Sequence, residues 1–222
     1  MNASLALAGI GMTSQRTRAR MVERLRAQGV RNESVLAAMA AIPRHIFVEE
    51  ALASRAYEDT ALPLGCSQTI SQPYIVARML EILCENRKNG SGKILEIGAG
   101  CGYQTALLGH LGYEVYAVER IRPLLVRARK NLAQIPNLKA RLKHADGNLG
   151  WPEAAPFDRV IVAAAARAVP QELLRQLAMN GILLLPVGGG EQYLCRVQRT
   201  PQGFSETRLE SVRFVPLLTG VE

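Results

Sequence analysis

Three glycines at alternate positions, Gly98, Gly100 and Gly102, follow a short apolar run in this chain. The next strand-like run, residues 113–118, leads directly into the acid Glu119. Glycine permits backbone dihedrals that other residues avoid, and it lets a ligand approach the main chain closely. A turn from a strand into a helix also presents backbone N–H groups that have no partner within the helix. The pattern predicts a nucleotide-binding turn, although a tight strand-to-helix connection alone would use the same glycines.

The spacing of the glycines favours S-adenosylmethionine over NAD as the nucleotide. The NAD fingerprint, Gly-x-Gly-x-x-Gly, uses its third glycine to bring a helix close to the pyrophosphate. In this chain the third glycine, Gly102, comes one residue early, and S-adenosylmethionine has no pyrophosphate to bind. We expect Glu119 to accept the two ribose hydroxyls, as the acid about 20 residues further on does in dinucleotide folds.

A further acid, Asp146, follows the third predicted strand of the sheet, at residues 139–145, and precedes Gly147. The carboxyl ends of parallel strands meet at one edge of the sheet, where ligands bind. Asp146 is therefore placed to accept a hydrogen bond from the adenine amino group. Asp-Gly is also a common turn pair, and the two interpretations are compatible.

Residues 56–78 are predicted to form a polar loop that leads into a helix near Pro73. Thr69 and Ser71 place two hydroxyl groups just before this helix, close to Gln68. Two interpretations of Ser71 stay open. It can cap the helix N-terminus, a role that contributes about 1 kcal/mol and needs no chemistry, or its hydroxyl can take part in a binding site.

The composition indicates one α/β domain. The chain has 222 residues, of which 48% are apolar and 21% charged, an ordinary balance for a globular protein. No apolar run approaches the roughly 20 residues that span a bilayer. Residues 1–12 contain no basic segment and no clear cleavage site, so we expect no signal peptide. We expect residues 1–13 to be a disordered extension.

The cysteines indicate the redox environment of the protein, and the net charge indicates which partners it could attract. The four cysteines are scattered and show no zinc-site spacing, so we expect free thiols in a reducing cytoplasm and no metal. A net charge of +8 could attract RNA or an acidic partner. However, no aromatic residues interleave with the basic ones, as single-strand binding requires. We expect a monomer without a membrane or nucleic-acid partner.

Alternating strands and helices after residue 92 predict the fold class. Several strands are apolar almost throughout, which is typical of a parallel sheet covered on both faces. We predict an α/β, doubly wound, mostly parallel seven-stranded sheet with an antiparallel end, preceded by N-terminal helices. Strands are predicted at residues 93–97, 113–118, 139–145, 157–164, 181–187, 192–198 and 204–215, and helices at 14–28, 32–42, 72–85, 103–111, 121–133 and 170–178.

Residues 86–92 read as a loop that divides this single domain into two parts. The first part, residues 14–90, contains the N-terminal helices and the polar loop. The second part, residues 91–222, contains the predicted cofactor-binding sheet and the C-terminal strands.

Five stretches of the chain resemble one enzyme family. They are residues 68–74, 95–105, 118–120, 146–147 and 212–217. In unbroken order from about residue 16 to the end, the chain is similar to the protein-L-isoaspartate (D-aspartate) O-methyltransferases. The hydroxyl-bearing loop and the C-terminal tail are more specific than the glycine turn, which methyltransferases share widely.

The resemblance implies a class I S-adenosylmethionine-dependent methyltransferase, Rossmann-like in fold, that repairs proteins in the cytoplasm. Such an enzyme methylates the α-carboxylate of L-isoaspartyl and D-aspartyl residues and leaves S-adenosylhomocysteine. The ester closes to a succinimide, which hydrolyses partly to aspartate. Ser71 stands at the position of the active-site serine, and Thr69, Ser71 and Val215 are implied in substrate binding. The residues implied in cofactor binding are Glu96, Gly98, Ala99, Gly100, Gly102, Gln104, Glu119, Arg120, Asp146 and Gly147.

The chain departs from the family pattern at three places. Ser67 replaces a glycine before the hydroxyl loop, alanines at 163–166 and Arg167 replace a run with prolines, and residues 148–149 lack an aromatic side chain. Arg167 is either a plain surface residue or a partner for a substrate carboxylate. Two other functions stay open on this ground. One is methyl transfer to RNA or a small molecule, and the other is cofactor binding with a degraded substrate site.

Overall fold

The computed structural model describes residues 9–85 and 92–222, which form two compact units. The helical unit contains residues 9–85, Gly100–Leu111 and Val126–Leu138. The sheet unit contains residues 92–99, Gly112–Leu125 and Lys139–Glu222. The two units thus alternate along the chain, and a single domain with one division near residue 90 stays a prediction.

The helical unit is built mainly from α-helices. Its complete helices are α1 (Gln15–Ala27), α2 (Glu33–Ala41), α3 (Pro73–Cys84) and α4 (Tyr103–His110). The unit also contains the C-terminal part of α5 (Arg122–Leu132). The side chain of Asn32 accepts the N–H of Val35 at 3.1 Å and caps α2. Buried residues such as Leu25, Leu36 and Leu80 form the core of this unit.

The polar loop predicted at residues 56–78 contains a hairpin that the prediction missed. Strand β1 (Leu62–Gly65) pairs with β2 (Gln68–Ile70) in an antiparallel two-stranded sheet. Its two-residue turn consists of Cys66 and Ser67, with φ of 52° and 55°. A turn with positive φ at both central residues favours Asn-Gly or Asp-Gly, so Cys-Ser gave no signal for it.

The sheet unit contains the predicted seven-stranded, mostly parallel sheet with an antiparallel end. The strand order is β5-β4-β3-β6-β7-β8-β9, with parallel pairing from β5 to β7 and antiparallel pairing from β7 to β9. The strands are β3 (Lys93–Ile97), β4 (Glu114–Glu119), β5 (Ala140–His144), β6 (Phe157–Val162), β7 (Leu177–Gly188), β8 (Gln192–Thr200) and β9 (Gly203–Val212).

Several predicted boundaries in the sheet unit were wrong: β6 ends at Val162 instead of residue 164, and β9 ends at Val212 instead of residue 215. The helix predicted at 170–178 is the shorter α6 (Gln171–Arg175), and β7 begins at Leu177 instead of residue 181. Leu177 is fully buried, and the carbonyl of Gln176 accepts the N–H of Phe157 at 2.8 Å. Burial and pairing with β6 therefore end the helix early.

Some predictions lie wholly or partly outside the described residues. The dividing loop at 86–92 is described only at residue 92, and the extension at 1–13 only from residue 9. Within it, Gly11–Thr13 form a 3-10 helix rather than disordered chain. In the part of the chain that is described, no helix combines the length and apolarity needed to cross a membrane.

Candidate active site

The turn after β3 is held to the neighbouring strand by two backbone hydrogen bonds. The N–H groups of Gly98 and Ala99 both donate to the carbonyl of Val118, at 2.8 and 3.2 Å. Gly98 adopts φ +87°, a left-handed conformation that strains other residues. The chain can therefore leave β3 sharply and expose its main chain at the carboxyl edge of the sheet.

In the helical unit, the same turn continues into α4. Gly100 and Gly102 have φ of +56° and +88°, and Gly102 is the N-cap of α4. A Cβ at Gly102 would lie 3.0 Å from the Cγ of Leu132. The backbone conformation thus favours glycine there, and a side chain would also crowd Leu132. Gln104 is the second residue of α4.

Two acids lie on adjacent strands of the sheet unit. Glu96 is fully buried on β3 between Ala117 and Ile161 of the neighbouring strands. Glu119, at the end of β4, is 5% exposed, and its Oε1 accepts the N–H of Ile121 at 2.9 Å. This bond fixes the Glu119 carboxylate at the edge where a ribose diol is expected.

Asp146 lies at the same edge and is engaged by the chain itself. Its Oδ1 accepts the backbone N–H of Asn148 at 2.8 Å and caps the 3-10 turn Gly147–Leu149. Its Oδ2 accepts the N–H of Gly220 at 2.6 Å. Partial burial would raise the pKa of Asp146, but these hydrogen bonds outweigh it and hold the pKa below its ordinary value. The turn interpretation of Asp146 is confirmed. A carboxylate has about four acceptor sites, which leaves room for a ligand donor.

The C-terminal tail also engages Arg120. The Nη1 of Arg120 lies 3.0 Å from Oε2 of Glu222, and its Nε donates to the carbonyl of Gly220 at 3.2 Å. Backbone bonds of 2.7 Å join Glu222 to the carbonyl of Arg120 and to the N–H of Arg122. Arg120 thus holds the tail beside the carboxyl end of β4.

Val215 is joined to the segment in which the chain departs from the family pattern. Its carbonyl accepts the N–H of Ala165 at 2.7 Å, and the N–H of Leu217 donates to the carbonyl of Ala165 at 2.8 Å. Ala166 likewise donates its N–H to the carbonyl of Pro186, and its own carbonyl accepts the N–H of Gly188; both partners lie in β7. The alanine run is therefore an ordered part of the sheet unit. Arg167 is exposed and makes no ion pair within the described residues.

In the helical unit, Ser71 does not cap α3, so that interpretation was wrong. The N-cap is Gln72, whose side chain makes no capping bond. The N–H of Tyr74 donates instead to Oδ1 of Asp59 at 3.0 Å. Within the described part of the chain, the half-buried hydroxyl of Ser71 and the exposed hydroxyl of Thr69 have no hydrogen-bond partner. Both hydroxyls are available to a ligand.

Asp59 and Arg44 are two residues near Ser71 that the sequence did not reveal. Burial would raise the pKa of Asp59, but hydrogen bonds from Gln28, Gln72 and Tyr74 hold that pKa below its ordinary value. Asp59 is therefore an ionised cap for α3. Arg44 is fully buried and donates from Nη2 to the carbonyl of Ser71 at 2.7 Å. Both residues stand out only through contacts with residues that are distant in sequence, so no local pattern indicates them.

A family model for protein-L-isoaspartate(D-aspartate) O-methyltransferase matches residues 16–222 of this chain. The chain belongs to this family. The polar loop, the glycine turn and the C-terminal tail all lie within the matched region.

Relatives in this family match nearly the full length of the chain. A protein-L-isoaspartate O-methyltransferase of Dechloromonas aromatica is 66% identical over 216 residues, which are 97% of this chain and 100% of the relative. The protein of the same name from Methylobacillus flagellatus is 60% identical over 223 residues, 98% of each chain.

Solved structures of the family share the fold. A protein-L-isoaspartate O-methyltransferase gives a TM-score of 0.81 at 25% identity and covers 90% of this chain, which spans 65% of the length of that one. A beta-aspartate methyltransferase from Plasmodium falciparum, in complex with S-adenosyl-L-homocysteine, also gives 0.81 at 24% identity, covering 90% of this chain and 98% of that one. The sheet is thus that of the class I S-adenosylmethionine-dependent methyltransferases.

The residues of the sheet unit fit the cofactor of this family. Ile97 pairs with Val118 and Glu119 pairs with His144, so β3, β4 and β5 end at the same level. The main chain at Gly98 and the carboxylates of Glu119 and Asp146 therefore lie along one edge. Carboxylates suit the hydroxyl and amino donors of an adenosine. Within residues 9–85 and 92–222, no group of three or more His, Cys, Asp and Glu side chains is placed to hold a metal ion.

Proposed function

We propose that this protein transfers a methyl group from S-adenosylmethionine to the α-carboxylate of L-isoaspartyl and D-aspartyl residues in damaged proteins. The observation that carries the proposal is the hydroxyl of Ser71, which lies before α3 without a hydrogen-bond partner in the described chain. It occurs in a chain that is 66% identical to a protein-L-isoaspartate O-methyltransferase over 97% of its length.

This transfer requires little chemistry from the side chains of the protein. The bound cofactor supplies a methyl group on a sulfonium, which is a good leaving group. The accepting carboxylate is already ionised at neutral pH, since the ordinary pKa of an α-carboxyl is about 3.5. No general base is needed, and in-line positioning alone can contribute about 7 kcal/mol or more.

Ser71 and Thr69 are the groups that we propose for this positioning. Hydroxyls that donate to a carboxylate form charge-assisted hydrogen bonds, which are stronger than neutral ones. Two such bonds to one oxygen of the carboxylate would fix the plane of the carboxylate and leave its other oxygen to accept the methyl group. Val215 is proposed to bind the substrate through its main chain, which already bonds to Ala165.

The cofactor residues have separate proposed roles. The main chain at Gly98, Ala99, Gly100 and Gly102 allows close approach, and Gln104 lies in the first turn of the following helix. Glu119 is proposed to accept the ribose hydroxyls, and Asp146 with Gly147 to accept the adenine amino group. Glu96 is proposed to support this edge from β3, and Arg120 to support it by holding the C-terminal tail beside the end of β4.

The product explains why such an enzyme repairs protein. The methyl ester can expel methanol, whereas a carboxylate has no comparable leaving group. The neighbouring backbone nitrogen therefore attacks the ester carbonyl, loses its proton, and closes a succinimide as methanol leaves. Hydrolysis of the succinimide returns part of the material to aspartate.

We propose that the protein acts as a monomer in the reducing cytoplasm, without a membrane or nucleic-acid partner. This location suits Cys66, Cys84, Cys101 and Cys195, which are all free thiols.

The test is methyl transfer from radiolabelled S-adenosylmethionine to two peptides of equal sequence, one with isoaspartate and one with aspartate. We expect base-labile label on the isoaspartyl peptide alone. Cofactor binding without label on either peptide would contradict the proposal. Incubation with an RNA pool would then separate a methyltransferase with another acceptor from a protein that only binds the cofactor.

A further inference from the structure

Arg44 is a buried cation whose hydrogen-bond partners are backbone carbonyls. It has no exposed surface, and none of the ion pairs among the described residues includes it. Its Nε donates to the carbonyl of Ala56 at 2.9 Å, and its Nη2 donates to the carbonyl of Ser71 at 2.7 Å. The planar fork of one guanidinium therefore fixes two chain segments relative to each other.

The same guanidinium also contacts the start of α4. Its Cζ lies 5.0 Å from the ring centroid of Tyr103, within cation–π range. Tyr103 is 2% exposed and directly follows Gly102, the N-cap of α4. Within the helical unit, Arg44 thus joins the residue that carries the free hydroxyl to the helix that follows the glycine turn.

Stability alone is a poor explanation for a charge in this place. Burying an ion costs free energy that the carbonyls and the attraction of the Asp59 carboxylate offset only in part, and apolar residues of similar volume often stabilise a fold as well or better. The Nη1 of Arg44 is buried without a hydrogen-bond partner in the described chain, which adds to this cost. The charge is therefore better explained by the groups that it orients.

We propose that Arg44 is a positioning residue for the methyl transfer and acts through Ser71. It holds the carbonyl of Ser71, so the backbone of that residue is fixed while its hydroxyl stays unpaired for the substrate carboxylate. This inference rests on the proposed function, because it concerns the orientation of the substrate in that reaction.

Arg18 provides a matched control in the same unit. It is 6% exposed, its Nη1 donates to the carbonyls of Ala40 and Ala41 at 3.0 and 3.1 Å, and its Cζ lies 5.9 Å from the ring of Tyr57. Arg18 and Arg44 thus have similar burial, and each donates to two backbone carbonyls and lies over a tyrosine ring; the Nε of Arg18 also donates to the hydroxyl of Tyr57 at 3.2 Å. Only Arg44 donates a hydrogen bond to Ser71.

The experiment compares Arg44→Lys, Arg44→Gln and Arg18→Lys, each below its own unfolding temperature. Lysine keeps the charge but lacks the fork, and glutamine keeps a single NH₂ group as donor without the charge. We expect both Arg44 variants to lower kcat on the isoaspartyl peptide by about tenfold or more, since misplacement can cost roughly 10²-fold. Binding of S-adenosylhomocysteine, measured by calorimetry, should stay unchanged, and Arg18→Lys should keep the wild-type kcat.

The double variant with Ser71→Ala separates positioning from general damage. If Arg44 acts through Ser71, adding Arg44→Lys to Ser71→Ala causes no further loss of kcat. Losses that multiply in the double variant, or equal losses for Arg18→Lys and Arg44→Lys, would overturn the inference. An active wild type with equally active Arg44 variants would overturn the inference alone. An inactive wild type would overturn the proposed function and this inference with it.

Discussion

The carboxylate of Asp59 accepts the backbone N–H of Tyr74 in the first turn of α3, at 3.0 Å. This bond satisfies a donor that a serine before the helix would otherwise cap. It is the reason that the hydroxyl of Ser71 is left without a partner in the described chain. Capping of α3 thus falls to Asp59, while substrate binding is proposed for Ser71, and mutations can separate the two roles.

Replacing Ser71 with alanine should lower activity without lowering stability. A hydrogen bond to a charged group contributes about 1.5–3 kcal/mol, which corresponds to a roughly 10- to 100-fold loss in kcat/KM. The free energy of unfolding should change by less than about 0.5 kcal/mol. Asp59→Ala, in contrast, should destabilise the protein by about 1 kcal/mol or more through loss of the cap.

Urea unfolding and peptide methylation on the same preparations test this contrast. If Ser71→Ala destabilised the protein as much as Asp59→Ala, the result would support a helix-cap role for Ser71. Full activity of Ser71→Ala would show that its hydroxyl does not orient the substrate.

The strands of the sheet unit could be predicted because their burial leaves a local pattern. Val160, Ile161 and Val162 are fully buried in succession, and so are Leu183 to Leu185. A strand that is covered on both faces is apolar at every position, so its place in the chain can be found without knowing its neighbours. The glycine turn could be predicted for a similar reason, since its positive φ values need a particular residue type.

The support around Ser71 could not be predicted because its partners are distant along the chain. Asp59 is 15 residues from Tyr74, and Arg44 is 12 and 27 residues from the carbonyls that it contacts. Arg44 is one of 27 basic residues, and no local pattern indicates that it is buried. Sequence alone therefore gave Ser71 as a candidate site residue but not the residues that leave its hydroxyl unpaired.

Ser67→Gly should stabilise the protein. Ser67 has φ of 55° in the turn between β1 and β2, and a left-handed conformation costs a residue with a Cβ about 1–2 kcal/mol. Glycine avoids this strain but loses more entropy on folding, so we expect a net gain of about 1 kcal/mol or less. Urea unfolding measures the difference.

Ser205→Gly is the control for this prediction. Ser205 lies at a paired position in β9, where glycine weakens a strand. Ser205→Gly should therefore lower the free energy of unfolding while Ser67→Gly raises it. A loss of stability in both variants would show that the turn at Ser67 is not strained.

Glu119→Gln should weaken binding of S-adenosylhomocysteine. The amide can still accept the N–H of Ile121 through one oxygen, but it offers no second carboxylate oxygen to a ribose diol. Loss of a charge-assisted bond of about 1.5–3 kcal/mol would raise the dissociation constant roughly 10- to 100-fold. Calorimetry of each variant with S-adenosylhomocysteine measures this change directly.

Glu114→Gln on the same strand is the matched control. Glu114 is paired at the surface with Arg141 at 3.0 Å, and exposed pairs of this kind contribute little. Its replacement should leave the dissociation constant at the wild-type value. Equal binding by Glu119→Gln would instead mean that Glu119 only fixes the turn at Ile121.

Acid should release the C-terminal tail from the sheet unit. The pKa of Asp146 in the folded protein lies below its ordinary value, because Gly220 and Asn148 donate to its ionised form. The stability from these bonds is fully present above the unfolded pKa, about 3.9. It is lost as pH falls through the lower, folded pKa. The amide resonance of Gly220 should therefore shift with a midpoint below about 3.9 in an NMR titration.

Two asparagine variants identify the group that titrates. Asp146→Asn should remove the acid-dependent shift of Gly220, because an amide does not ionise in this range. Asp158 also accepts a backbone N–H in the sheet unit, from Lys93 at 2.7 Å, and Asp158→Asn should leave the Gly220 titration unchanged. A Gly220 resonance that still titrates in Asp146→Asn would mean that another acid holds the tail.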